Sequence, residues 1–161
     1  MLHLVNWISF SYVEKRKVVI PHIMDIIEVA LILLVLKIAT IDLAFSGVSS
    51  DRGQDIKTLL ATNPFLSTLF VCFIGPVMEE VIYRSGAAMA RYGNLMPVYS
   101  LAVGMVSAII FGFGHEAGFF GCVFVVSGLA YWWIAYRYGL RYSIFAHVMN
   151  NTLVIFYATI G

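Results

Sequence analysis

Ionisable residues are scarce in this chain, and those that interrupt its apolar runs are of types that do chemistry. The run Pro76-Val-Met-Glu79-Glu80-Val-Ile-Tyr-Arg84 carries two adjacent acids and a base. A charge at the centre of a bilayer costs about 2.5–3.5 kcal/mol on insertion scales, so such groups pair or line a cavity. Glu80 and Arg84 are one helical turn apart and can pair. Glu79 points about 100° away from them and has no such partner in the sequence. An acid in a dry site can serve as a general base; alternatively both acids form one structural ion cluster with Arg84. A second apolar run ends Ser107-Ala-Ile-Ile-Phe111-Gly-Phe-Gly-His115-Glu116, with a histidine that is either interfacial or part of a site. A third contains His147-Val-Met-Asn-Asn151, in which His147 and Asn151 share a helix face. An imidazole beside a carboxamide can stabilise a developing oxyanion, or can clamp two helices together. Asn150 is off that face and reads as incidental.

Other chemistries lack their residues. His115-Glu116 is followed by Ala-Gly-Phe, so there is no H-E-x-x-H metal helix. Ser127-Gly128 follows two valines and Ser85-Gly86 follows Tyr-Arg, so no Gly-x-Ser-Gly nucleophile is present. The near match to Gly-x-Gly-Asp is Gly112-Phe-Gly114-His115.

The elements that must position these groups are long apolar segments. Five are expected, at about Ile26–Phe45, Phe65–Ala90, Met96–Gly114, Phe119–Tyr136 and Ser143–Ile160. They are too long for strands, and lipid demands that backbone groups be paired within the segment, so helices are expected. Met1 to Val13 is too short to span and reads as an interfacial segment ending in Lys15, Arg16 and Lys17. Ser46 to Asn63 is the one extended polar connection. Lys and Arg favour a cytoplasmic N-terminus, with Lys15, Arg16, Lys17, Arg84, Arg91, Arg137 and Arg141 inside against Arg52 and Lys57 outside. Trp132, Trp133, Tyr136, Tyr138 and Tyr142 fit an aromatic belt at the inner interface. The glycines at 112, 114, 118 and 121 allow close helix approach. Simple alternation puts His115 near the outer end of the third helix and His147 near the inner start of the fifth. They meet if the second helix runs long, with Glu79 at mid-membrane, and if the Gly-rich turn after His115 is buried.

Composition agrees with a polytopic, all-α membrane bundle of about five spans. The chain has 161 residues, 61% hydrophobic and 12% charged, and a mean hydropathy of +0.89. Soluble domains are roughly 45–50% apolar and about 25% charged, so a soluble enzyme and a disordered tail are excluded. The net charge is +1 with no basic block, which argues against a nucleic-acid partner. Cys72 and Cys122 lie inside apolar runs and read as packing residues. Five spans without an inverted repeat argue against a transporter.

Taken together, E-E-x-x-x-R, F-x-x-x-H and H-x-x-x-N occur in order on successive apolar segments. The sequence resembles the CPBP family, the CAAX proteases and bacteriocin-processing (Abi) proteins. The likeness covers about Phe65 to Gly161, and Pro76, Gly128 and Tyr131 also fall where that family often has such residues. The resemblance divides the chain into residues 1–64, holding the interfacial segment, first span and outer loop, and a catalytic helix core over 65–161. It implies an intramembrane glutamyl peptidase acting on a membrane-tethered protein or peptide in the bilayer. Glu79 would activate water, His115 would bind and orient it, and His147 and Asn151 would form the oxyanion hole. Glu80 and Arg84 would support the site and Phe111 would pack against it. No cofactor is expected; the alternative is zinc held by Glu79, His115 and His147. CAAX-type tails, leader peptides and bacteriocin-like peptides are the substrate classes, and the compact chain points to a bacterial plasma membrane. The alternative function is a non-catalytic bacteriocin immunity or adaptor protein on the same scaffold. A homo-oligomer is one way for so short a bundle to close its site.

Overall fold

A computed structural model describes residues 23–45, 58–92, 97–115 and 118–160. The expected interfacial segment, its basic cluster and residues Arg52 and Lys57 lie outside them. Among the described residues the fold is all-α: α1 (Ile23–Phe45), α2 (Pro64–Leu69), a π-helical turn (Phe70–Ile74), α3 (Gly75–Tyr92), α4 (Pro97–His115), α5 (Gly118–Tyr138) and α6 (Leu140–Ile160). Residues 58–62 already make a helical turn, so the polar connection is shorter than Ser46 to Asn63. Asn63 caps α2 by accepting from the Leu66 N–H at 3.2 Å, with Pro64 at the first helical position.

The second expected span is one continuous run through Pro76. The π turn widens the helix just before the proline, which spares its ring a clash with the preceding turn. Pro64–Ala90, Val98–His115 and Phe120–Tyr138 are long and apolar enough to cross a membrane. The other two expected spans are also helices. α1 contributes a shorter apolar stretch, Ile26–Leu36; α6 is diluted by Arg141, His147, Asn150 and Asn151. The 27 residues of Pro64–Ala90 extend about 40 Å, so the second helix does run long. Large apolar side chains such as Phe65, Phe70, Val98, Ile110 and Phe156 face outward. On a soluble protein this surface would aggregate; against lipid chains it costs nothing.

Small residues set the interior. A Cβ on Gly112 would lie 2.4 Å from Val125 Cγ2 and 2.7 Å from the Gly121 carbonyl, so α4 and α5 touch nearly backbone to backbone. Gly114 and Gly118 do not pack in this way, since both are exposed, and the turn after His115 itself, residues 116–117, lies outside the described residues. The aromatic belt also needs correction. Trp132 and Tyr138 are core residues, 5% and 8% exposed. The indole of Trp132 fills the slot that Gly104 leaves open, where a Cβ would sit 2.6 Å from its Nε1. Cys72 is buried as expected, whereas Cys122 faces outward.

At the centre of the bundle lies a charge pair. Arg84 and Glu80 have no exposed side-chain surface and approach to 3.6 Å on adjacent turns of α3. The guanidinium lies over the Phe111 ring of α4 at 4.1 Å from its centroid. Its Nη2 donates to the Gly128 carbonyl of α5 at 3.5 Å. One side chain thus ties α3 to α4 and α5.

Two outcomes are expected in unfolding measurements on the detergent-solubilised protein. Gly112→Ala forces α4 and α5 apart and destabilises by about 1–3 kcal/mol, whereas Gly114→Ala is neutral or stabilising. Arg84→Met strands a buried carboxylate at Glu80 and costs roughly 3–5 kcal/mol.

Candidate active site

The two adjacent acids have separate environments. Glu80 points into the core, where Ser143 Oγ donates to Oε2 and His147 Nδ1 lies 2.9 Å from Oε1. Glu79 is 22% exposed in its side chain and faces two imidazoles. His115 Nε2 stands 3.1 Å from Glu79 Oε1, and His147 Nε2 stands 3.6 Å from Oε2. Arg84 thus pairs directly with Glu80, Glu79 faces the histidines, and His147 touches both acids.

The ring orientations follow from their other contacts. His115 is the last residue of α4, and its Nδ1 lies 2.7 Å from the Phe111 carbonyl one turn back. A carbonyl only accepts, so Nδ1 carries the proton and Nε2 is the end presented to Glu79. His115 is packed between Phe111 and Phe124, with ring centroids 4.2 and 5.3 Å away. His147 lies two turns into α6, because that helix starts at Leu140 rather than Ser143. Tyr131 stacks on it at 4.4 Å and 17°, and Glu80 accepts from its Nδ1–H, which again presents Nε2 to Glu79. This places a buried carboxylate behind one imidazole and a half-buried carboxylate in front of two.

Asn151, one turn beyond His147, directs its Nδ2 to the Val71 carbonyl of the π turn at 3.1 Å. Asn150 is not incidental: it is fully buried and donates to the Ala30 carbonyl at 3.3 Å, fastening α6 to α1. Phe111 is 1% exposed and touches Arg84, His115 and His147.

Ser143 touches the site although no motif singles it out, and Tyr131, noted with the resemblance, stacks on His147. The signal for Ser143 is its register, since 143, 147 and 151 repeat every four residues on one face of α6. Glu79, His115 and His147, the alternative zinc set, do come together. However, among the described residues no three His, Cys, Asp or Glu side chains are placed to hold a metal ion. Each Glu79 oxygen faces its own imidazole directly.

A family model described as type II CAAX prenyl endopeptidase Rce1-like matches residues 61–153, more than half of the chain. That range contains every residue of the cluster, from Val71 and Glu79 to Asn151. No curated protein and no solved structure matches. With a membrane-type helical bundle and this match, the chain belongs to the Rce1-like family of type II CAAX prenyl endopeptidases, a family of proteases with membrane-associated substrates.

Proposed function

We propose that the chain is an intramembrane endopeptidase in which Glu79 activates water for attack on a peptide carbonyl. The observation that carries this reading is the contrast between the two acids. Glu80 is locked in the core by Arg84, Ser143 and His147. Glu79 reaches a partly open centre flanked by two imidazole Nε2 atoms.

In the reaction, Glu79 takes a proton from water while His115 holds that water in place. The water oxygen adds to the scissile carbonyl carbon, and the carbonyl oxygen gains negative charge. A protonated His147 Nε2 and the Asn151 amide are the donors that meet this charge. The Glu80 carboxylate behind Nδ1 holds the ring with Nε2 toward the site. As the C–N bond breaks, the proton on Glu79 passes to the leaving amine, so one water is consumed and a new carboxyl and amine are formed. The substrate is a peptide at the membrane, a CAAX-type tail, leader or bacteriocin-like peptide. The reading needs no metal. The site belongs to a plasma membrane protein with its N-terminus in the cytoplasm.

The test uses the full chain in nanodiscs, a prenylated CAAX-tail peptide and a mixed peptide library, with products read by mass spectrometry. Glu79→Gln is expected to lower the cleavage rate by about 10²–10⁴ while leaving membrane level and unfolding midpoint unchanged. Cleavage by the wild type is expected to persist in a chelator; its loss there would place a metal in the site. Equal cleavage by Glu79→Gln would overturn the role of Glu79, and an unimpaired cellular phenotype with that variant would favour an immunity or adaptor protein.

A further inference from the structure

At the π turn the long helix leaves the Val71 carbonyl without its main-chain donor. The Gly75 N–H bonds to the Phe70 carbonyl, five residues back. In that register the Val71 carbonyl would take the N–H of residue 76, which is a proline and has none. In the ordinary register, four residues back, it would take the Gly75 N–H, which is already given to Phe70. A carbonyl without a donor inside a bundle is costly. Asn151 Nδ2 fills the place at 3.1 Å from α6.

This contact also determines which way the amide lies. Since Val71 offers only an acceptor, the nitrogen end of the carboxamide must face it and the oxygen end must turn away. We propose that Pro76 and the π turn present the Val71 carbonyl as an anchor for Asn151, which makes Pro76 and the Val71 main chain positioning elements of the peptidase site. The proposal rests on the reading of Asn151 as an oxyanion donor. A carboxamide free to flip would turn its own oxygen toward the developing charge half of the time. The anchored one keeps its nitrogen toward the helix that carries Glu79. Because Val71 lies two turns before Glu79 on that helix, the same bond holds the register between the helix of the base and the helix of His147 and Asn151.

The test is a double-mutant cycle in the full chain in nanodiscs, with Pro76→Ala, Asn151→Ala and both together. Alanine at 76 restores an N–H and lets the helix close in its ordinary register, where Gly75 returns to Val71 and Asn151 loses its acceptor. With the prenylated CAAX-tail peptide, or the best-cut library peptide, Pro76→Ala is expected to lower kcat by roughly ten- to a hundredfold with little change in KM. Asn151→Ala costs about 10²–10³ in the native background and far less once Pro76 is replaced. Asn151→Asp, the same shape but without a donor, is expected to fail like Asn151→Ala; its activity at the wild-type level would overturn the anchor. Losses that multiply would also overturn it. Unfolding midpoints of the same four proteins read the contact without any peptidase assay, and the shifts are expected to be non-additive. Additive midpoints would mean that Asn151 does not depend on the freed carbonyl. Coupled midpoints with multiplying kcat losses would leave a structural clamp and remove the role in catalysis. If the wild type cuts no peptide, the peptidase reading fails while the midpoints still decide whether the anchor exists.

Discussion

Glu80 is a carboxylate with no exposed surface in the middle of a helical bundle, and much of the structure is arranged around keeping it there. Such a group persists only if its oxygens are met by donors and its charge by a cation. Arg84 supplies the cation from the same helix; Ser143 and His147 supply donors from α6. Arg84 in turn reaches the Phe111 ring of α4 and the Gly128 carbonyl of α5. A burial requirement on one side chain therefore brings four helices to a common centre. It also explains why a site for reacting atoms can form: the partners demanded by Glu80 include an imidazole whose far nitrogen is then aimed at Glu79.

Adjacent residues on a helix diverge by about 100°, and this chain uses the divergence to give two identical side chains different roles. One acid is fixed and satisfied. Its neighbour keeps partial access and meets imidazoles that already have Nδ1 occupied, by the Phe111 carbonyl in one case and by Glu80 in the other. Both tautomers are thus set from behind. The aromatic rings of Phe111, Phe124 and Tyr131 then fix the planes of the two histidines.

Much of this was legible in the sequence. The apolar runs gave the helices to within a few residues at most ends, and the four-residue spacing of Glu80 and Arg84 gave their pair. The meeting of Glu79 with His115 and His147 was suggested only by the three motifs in order, since helical periodicity says nothing about which helices adjoin. The tryptophan at 132 suits a membrane interface by its place near a span end; the slot opened by Gly104 lies on the neighbouring helix α4, which spacing within α5 does not show. Asn150 reads as incidental in the sequence for a similar reason, since its acceptor is a main-chain carbonyl in α1. Carbonyl partners have no residue identity and leave no trace in composition or spacing. The Val71 carbonyl is a partial exception, because Pro76 announces a missing donor nearby.

The connection between α5 and α6 is a single residue, Gly139, with φ of 113°. Its N–H closes onto Ile134 and Ala135 at the end of α5, and its carbonyl starts α6 by accepting from Tyr142. So short a link leaves the two helices no freedom to slide or rotate independently. Tyr131 on one side and Ser143 and His147 on the other are consequently held in phase. One inserted residue would rotate α6 by about 100° and carry both Glu80 donors off their acid together. In this sense the turn serves as a gear setting, and its length is as much a part of the site as the identity of any side chain in it.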